Sequence, residues 1–282
     1  MKTTRKLTPV RSAHQIAVAE GAALLDSGRF REAEQIARKV LAADAKHLVA
    51  SHLLGVALLG QGRTREAVEP LELAAQSLDS GLVETHLGKA FRESGRATEA
   101  MTWLRRAAAR LPPLSCTFHE LGILLCTRYE FQEAAKAFQR GLELAPADAE
   151  LWTELGGVYI QLADPSNAKI AFARALADAP GHPRALHGFG TALLYEGDFA
   201  RAAERFRQVL ARDPAHVRAR LDLGHCLLEM GLPDEAASCL RELVQSAPQL
   251  YGRALKVLVS AASGRFWIRP TAANSYFQGC RK

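Results

Sequence analysis

The stretch AELWTELGGVYIQLADPSNAKIAFARALADAPGH, residues 149–182, contains the pattern that decides the fold. Its first half places large apolar residues around one glycine on a single helix face: Trp152, Leu155, Gly156 and Tyr159. Its second half places small and large apolar residues on one face of another helix, which a proline then ends: Ala168, Phe172, Ala175 and Pro180. Two helices of this length joined by a short turn form an antiparallel hairpin.

The same pattern recurs along nearly the whole chain at intervals of about 34 residues. Its mid-helix glycine is found at seven places: Gly21, Gly55, Gly88, Gly122, Gly156, Gly190 and Gly224. The recurrence divides the chain into seven repeats: 14–47, 48–80, 81–114, 115–148, 149–182, 183–216 and 217–250. We expect residues 251–263 to form one capping helix, residues 1–13 a disordered basic arm, and residues 264–282 a basic and aromatic tail.

The repeated pattern resembles the tetratricopeptide repeat (TPR) family, whose signature runs W-x2-L-G-x2-Y…A-x3-F-x2-A…P, and residues 149–182 fill all eight of its positions. The resemblance implies an all-α fold, a right-handed α-solenoid of seven helical hairpins plus the C-terminal capping helix. It also implies a concave groove, lined by the first helix of each hairpin, that receives an extended or helical segment of another protein. We interpret Gly156 as the site of a close helix crossing with Ala168 opposite it.

Positive charge is concentrated at the two ends of the chain. Residues 1–13 and 264–282 each carry a charge of +4 and contain no acidic residue, while the whole chain has a net charge of +6. The residues between them therefore carry a net −2. Nucleic-acid readers show clustered basic residues on the folded body, so we predict no nucleic-acid binding through the repeats. The basic tails leave tethering to a membrane surface or to nucleic acid as a third hypothesis.

The chain has five cysteines at irregular spacing and no CxxC pair, which favours a reducing compartment over a disulfide framework. No signal peptide and no run of ~20 apolar residues is present in the sequence. We therefore predict a cytoplasmic protein without a membrane span. Neither a cofactor nor a metal ion is predicted, because the sequence contains no phosphate-binding glycine loop and no dedicated metal-ligand motif.

The candidate binding residues are non-core positions of the first helices: His52, His86, Lys89, Arg92, His119, Arg184, His187, Tyr195, Arg218 and His225. Five of the nine histidines in the chain belong to this set. Three interpretations of the histidines stay open at this point. They are polar recognition residues, a groove that responds to pH because imidazole titrates near neutrality, or a zinc site built from Cys116, His119 and His86.

The basic candidates have two interpretations. Lys89 and Arg92 lie three residues apart on one helix, and Arg184 and Arg218 occupy equivalent places in adjacent repeats. Either they pair with carboxylates of an acidic partner or they are ordinary solvated charges. Relatives that clamp the carboxylate end of chaperones, and relatives that transfer sugars, use asparagines on the first helices. This chain has asparagine only at positions 167 and 274, neither of which is on a first helix, which argues against both assignments.

The residues favour a binding scaffold over an enzyme. Nearly every residue is explained by the repeat template, and no GxSxG or HExxH motif is present. The alternative is a regulatory or truncated relative of TPR-containing sulfotransferases or glycosyltransferases without its own catalytic domain. The apolar closing helix also permits self-association through the C-terminal end.

Overall fold

The computed structural model describes residues 13–259, and these residues form fifteen α-helices and no strand. The chain divides into two compact units, Met1–Leu144 and Ala145–Lys282. The first unit contains α1 (Ala13–Asp26), α2 (Phe30–Ala43), α3 (Leu48–Gly60), α4 (Thr64–Ser77), α5 (Gly81–Glu93), α6 (Ala97–Ala108), α7 (Ser115–Thr127) and α8 (Phe131–Leu144). The second contains α9 (Ala149–Gln161), α10 (Pro165–Asp178), α11 (Pro183–Tyr195), α12 (Phe199–Arg212), α13 (Val217–Glu229), α14 (Pro233–Ser246) and α15 (Tyr251–Val259), with a 3₁₀ turn at Pro248–Leu250.

The helices pair in chain order, α1 with α2 through α13 with α14, to give seven hairpins followed by the single helix α15. The all-α TPR-type fold predicted from the sequence is therefore confirmed. Within each unit the first helix of a hairpin contacts the first helix of the next, as in the pairs α3 and α5 or α9 and α11. Among the described residues no comparable contact joins successive second helices. The first helices therefore form the inner layer of each unit.

The mid-helix glycines accommodate a large side chain from the second helix of the same hairpin. A β-carbon added at Gly156 would lie 2.7 Å from the ring of Phe172, and one added at Gly190 would lie 2.7 Å from the ring of Phe206. The same relation holds at four further glycines: Gly55 with Leu71, Gly88 with Leu104, Gly122 with Phe138, and Gly224 with Leu240. The sequence led us to expect Ala168 opposite Gly156, and the structure adds the ring of Phe172, one turn later, as the nearest group to a β-carbon at this glycine.

The turn within each hairpin requires one residue in the left-handed backbone region. Five repeats place a glycine there, with Gly62 at φ 73° as an example. The other two repeats adopt the same conformation with a side-chain-bearing residue, at Tyr129 (φ 61°) and Ala163 (φ 56°). A non-glycine residue in this region costs roughly 1–2 kcal/mol, so the surrounding hairpin imposes the turn even where the sequence does not favour it.

The closing helix begins where the sequence predicts and packs on the last hairpin. Helix α15 contacts α13 and α14 and buries Ala254 and Leu258. The predicted extension over 260–263 lies outside the described residues, as do residues 1–12 of the expected N-terminal arm and the tail 264–282. None of the helices in residues 13–259 has the combined length and apolarity that a bilayer crossing requires.

The adjacent glycines 156 and 157 provide a direct test of the hairpin contact. Gly156→Ala is expected to lower the free energy of unfolding by about 1–3 kcal/mol, because the new methyl group overlaps the Phe172 ring. Gly157→Ala meets no atom within 4 Å and is expected to raise stability by up to ~1 kcal/mol through helix propensity. Thermal melting of the two full-length variants measures both effects. Equal melting temperatures would contradict the glycine–ring contact.

Candidate protein-binding grooves

The inner face of the first unit contains a histidine pair. His52 on α3 and His86 on α5 are hydrogen-bonded through Nε2 and Nδ1 at 2.8 Å, and their rings stack with centroids 5.1 Å apart. Burial lowers the pKa of His52 to about 4. Burial also lowers the pKa of His86 to about 3, with smaller contributions from His52 and from the charge of Lys89. Both rings are therefore neutral at near-neutral pH, so the pH-sensitive interpretation does not hold for these two residues.

The basic residues predicted in the first unit are engaged by a glutamate of the next hairpin. Arg92 donates from Nε and Nη2 to Oε2 of Glu120 at 3.0 and 2.8 Å, and Lys89 Nζ lies 3.5 Å from Oε1. The Glu120 side chain is only 9% exposed and that of Arg92 only 17%. Lys89 and Arg92 thus link α5 to α7, and the carboxylate that they were expected to take from a partner is supplied by the chain itself.

The proposed zinc ligands do not assemble. His86 uses Nδ1 to contact His52, and His119 packs with its ring centroid 6.2 Å from that of Phe138. Cys116 is exposed at the start of α7, and the partial desolvation of its thiol raises the pKa, which disfavours the thiolate that a metal requires. In residues 13–259 no three His, Cys, Asp or Glu side chains are grouped as a metal ligand set.

The inner face of the second unit contains an open cavity of about 340 Å³. Its lining comes from α9, α11 and the start of α13, with one ring from α10 behind them. The lining residues are Thr153, Gly157, Ile160, Gln161, Phe172, Arg184, His187, Gly188, Thr191, His216 and Arg218. This combination of an apolar floor with polar and basic side chains around it is typical of a ligand-binding site.

Two glycines leave the base of this cavity without side chains of their own. A β-carbon at Gly157 would meet no atom within 4 Å and would project into open space. A β-carbon at Gly188 would lie 2.3 Å from the Phe172 ring, so that ring closes the floor beneath α11. The main chain of a bound segment can therefore approach the α9 and α11 backbones closely.

The two arginines on the cavity differ in their partners. Arg184 binds two glutamates of the preceding hairpin, Glu150 at 2.5 Å and Glu154 at 2.7 Å. Burial alone would lower the pKa of Arg184, but the bonds and charges of these two glutamates raise it. Arg218 is exposed and has no hydrogen-bond or ion-pair partner within residues 13–259.

The histidines of the second unit have defined contacts. His187 Nε2 lies 2.9 Å from the carboxylate of Asp222, and its ring packs 5.4 Å from Phe206 and 5.3 Å from His216, measured between centroids. His216 caps α13, accepting a hydrogen bond at Nδ1 from the Ala219 amide. The remaining predicted residues lie farther along the same face: His225, with Nε2 3.4 Å from Glu229, and Tyr195, which is 61% exposed.

Several residues that line the cavity are not among the predicted binding residues, and the most informative of them are Gly157, Gly188 and His216. The two glycines lie outside the signature position of their repeats, and that extra glycine content on α9 and α11 was a readable signal. His216 gave a signal of another kind, because His47, His182 and His216 stand just before their first helices and all three accept a bond from the N-terminal turn.

The packing and the inner faces define a class, the helical repeat proteins built from antiparallel hairpins. The family model described as "Tetratricopeptide repeat" matches residues 24–80, 128–188 and 193–258, which is more than half of the chain. The chain belongs to the tetratricopeptide repeat family, a class of protein-interaction scaffolds whose stacked repeats present a concave binding surface. No curated protein sequence matches the chain.

Solved structures with the same fold are similar at low sequence identity. The crystal structure of the APC/C hetero-tetramer Cut9–Hcn1 matches with a TM-score of 0.69 and 21% identity, over 76% of this chain and 42% of that chain. PilW, a type IV pilus biogenesis factor, matches with a TM-score of 0.66 and 18% identity, over 73% and 96%. Pseudomonas aeruginosa pilF matches with a TM-score of 0.63 and 22% identity, over 71% and 92%. This chain thus spans less than half of the Cut9–Hcn1 match, and at these identities the likeness establishes the fold alone.

Arg92 and Arg218 are expected to respond differently to the same substitution. Arg92→Gln removes both hydrogen bonds to the buried Glu120 and should lower the free energy of unfolding by about 2 kcal/mol or more. Arg218→Gln, at an exposed position without a partner, should change it by less than ~0.5 kcal/mol. Thermal melting of the two full-length variants measures this, and an unchanged melting temperature for Arg92→Gln would contradict the structural role.

The histidine pair makes stability depend on pH with a definite sign. An unfolded histidine titrates near 6.5, whereas His52 and His86 titrate near 4 and 3 in the fold. Between these values the unfolded state binds more protons, so stability falls as pH decreases, by up to ~1.4 kcal/mol per pH unit for each residue. Above pH 6.5 the pair contributes no pH dependence.

Comparison of the wild type with His52→Leu/His86→Leu isolates this contribution, because other titrating groups are common to both proteins. The difference in melting temperature should change steadily from pH 6.5 to 4.5 in favour of the double variant. Parallel pH profiles would show that the two rings are not held neutral.

Proposed function

We propose that the chain is a scaffold that binds an extended segment of another protein, with the cavity on α9, α11 and α13 as its principal contact site. The observation that carries the proposal is the glycine-floored cavity on the inner face, whose volume is about 340 Å³. This volume lies at the lower end of the ~300–1,000 Å³ range of ligand pockets and suits one or two side chains of a bound segment. Gln161 and Thr191 provide polar groups for its main chain.

In the first unit, the equivalent first-helix positions make contacts between neighbouring hairpins. His52 is bonded to His86, and both Lys89 and Arg92 contact Glu120, so their polar groups already have partners within the chain. Binding there has to break a buried contact before a new one forms. The second unit offers glycines, an open volume and Arg218 without that cost. This contrast favours the second unit as the recognition site.

The cysteines of α13 and α14 support binding over catalysis. Burial raises the pKa of Cys226 to about 12 and that of Cys239 to about 11, so neither forms a thiolate at neutral pH. The cavity itself contains His187 and His216 but no cysteine, serine or carboxylate in its lining. Such a lining suits recognition of a chain segment.

A filled-cavity variant tests the proposal. A display library of random 12-residue peptides is selected on the full-length protein, and the recovered peptides are measured by fluorescence anisotropy. Gly157→Leu places a side chain in the cavity without an internal clash and should weaken binding by about tenfold or more. Gly252→Leu on α15 is the matched control, because it also projects into open space, and it should leave affinity unchanged.

Two results would contradict the proposal. One is a library that yields no peptide with reproducible affinity for the wild type. The other is a set of peptides that bind Gly157→Leu as tightly as they bind the Gly252→Leu control.

A further inference from the structure

The repeat geometry leaves one arginine without the carboxylates that its counterpart has. Arg184 and Arg218 occupy equivalent positions, one repeat apart, on α11 and α13. Arg184 reaches back to Glu150 and Glu154, which lie 34 and 30 residues before it. The residues at the same separations before Arg218 are Arg184, which has like charge, and Gly188, which has no side chain. The acids that the repeat supplies to Arg184 are therefore missing for Arg218.

The cavity lies at the place of the missing acid. Gly188, Arg184 and Arg218 all line it, together with His187 and His216. Asp222, one turn after Arg218 on α13, is already bound to His187 at 2.9 Å. The Glu150 and Glu154 carboxylates are bound to Arg184, and Glu150 also to His182. The acidic groups around the cavity thus have partners of their own, while Arg218 has none within the described residues.

We propose that the partner segment inserts an aspartate or glutamate side chain over Gly188, where its carboxylate binds Arg218 as Glu154 binds Arg184 one repeat earlier. This inference rests on the proposed function and specifies the chemistry of the ligand. The chain does not supply this acid itself, because a glutamate side chain at position 188 would meet the Phe172 ring. A carboxylate carried by the ligand approaches Arg218 from the open side of the cavity, where position 188 contributes no side chain.

An arginine–carboxylate bond in a partly enclosed site is charge-assisted, directional and weakened by salt. The proposal therefore predicts that binding requires both the acidic side chain of the ligand and the positive charge at position 218. It also predicts that binding weakens as the ionic strength rises. A nonspecific attraction between an acidic peptide and a basic surface would respond to any exposed arginine. Arg174 provides that comparison, since it is exposed on the second helix α10, away from the cavity lining, and has no partner within the described residues.

The test uses the selected 12-residue peptides with the full-length protein. The recovered peptides should share one aspartate or glutamate, and its replacement by asparagine or glutamine should weaken binding by about tenfold or more. Arg218→Glu should weaken the binding of the acidic peptides by at least as much. The same variant should bind a peptide in which lysine replaces the shared acid more tightly than the wild type does. Arg174→Glu should change neither affinity by more than about twofold.

The outcomes separate this inference from the proposed function. If Gly157→Leu blocks the recovered peptides but no acid in them is required, or if Arg218→Glu does not weaken their binding, the inference is wrong and the proposed groove still stands. Loss of binding on amidation of the peptide's C-terminus, with no effect of internal acids, shows a terminal carboxylate and also overturns it. The peptide replacements keep the test decisive if Arg218→Glu does not fold. Peptides that Gly157→Leu does not block overturn both proposals.

Discussion

The contact between a mid-helix glycine and a large side chain of the paired helix is the interaction on which the rest of the structure depends. With no β-carbon at Gly156, the Phe172 ring packs directly against the α9 backbone, and equivalent contacts recur in five other hairpins. This contact fixes the separation and rotation of the two helices in each hairpin. The rotation in turn decides which residues of the first helix are buried and which face the inner surface. The glycine contact within each hairpin therefore determines which first-helix residues are available for binding.

Much of the fold was predictable because the pattern that specifies it is local. The spacing of Trp152, Gly156, Phe172 and Pro180 lies within one hairpin, so sequence periodicity was sufficient to place helices and turns. The Phe172 ring at Gly156 was not predicted, because small residues were matched to each other by size alone. Which atom fills a gap depends on the reach of a side chain, and periodicity does not contain that information.

The site was less predictable because its contacts join different repeats. Arg92 and Glu120 are separated by 28 residues, and their bond depends on how one hairpin is staggered on the next. The sequence identified Arg92 as a non-core residue of a first helix but did not show that its charge is already satisfied. Gly157 and Gly188 were overlooked for another reason. A glycine outside the signature has no side chain to suggest a role, and its effect appears only as the space above it.

One ring connects the core of the second unit to its recognition surface. Phe172 fills the space above Gly156 within its own hairpin and also lies beneath Gly188 of the following one. A larger residue at 188 would require a smaller one at 172, and a smaller residue at 172 would leave a void at Gly156. The shape of the cavity floor at position 188 is therefore coupled to the core of the preceding hairpin, since each single change there passes through a less stable intermediate. A larger residue on the floor requires a paired substitution in that core.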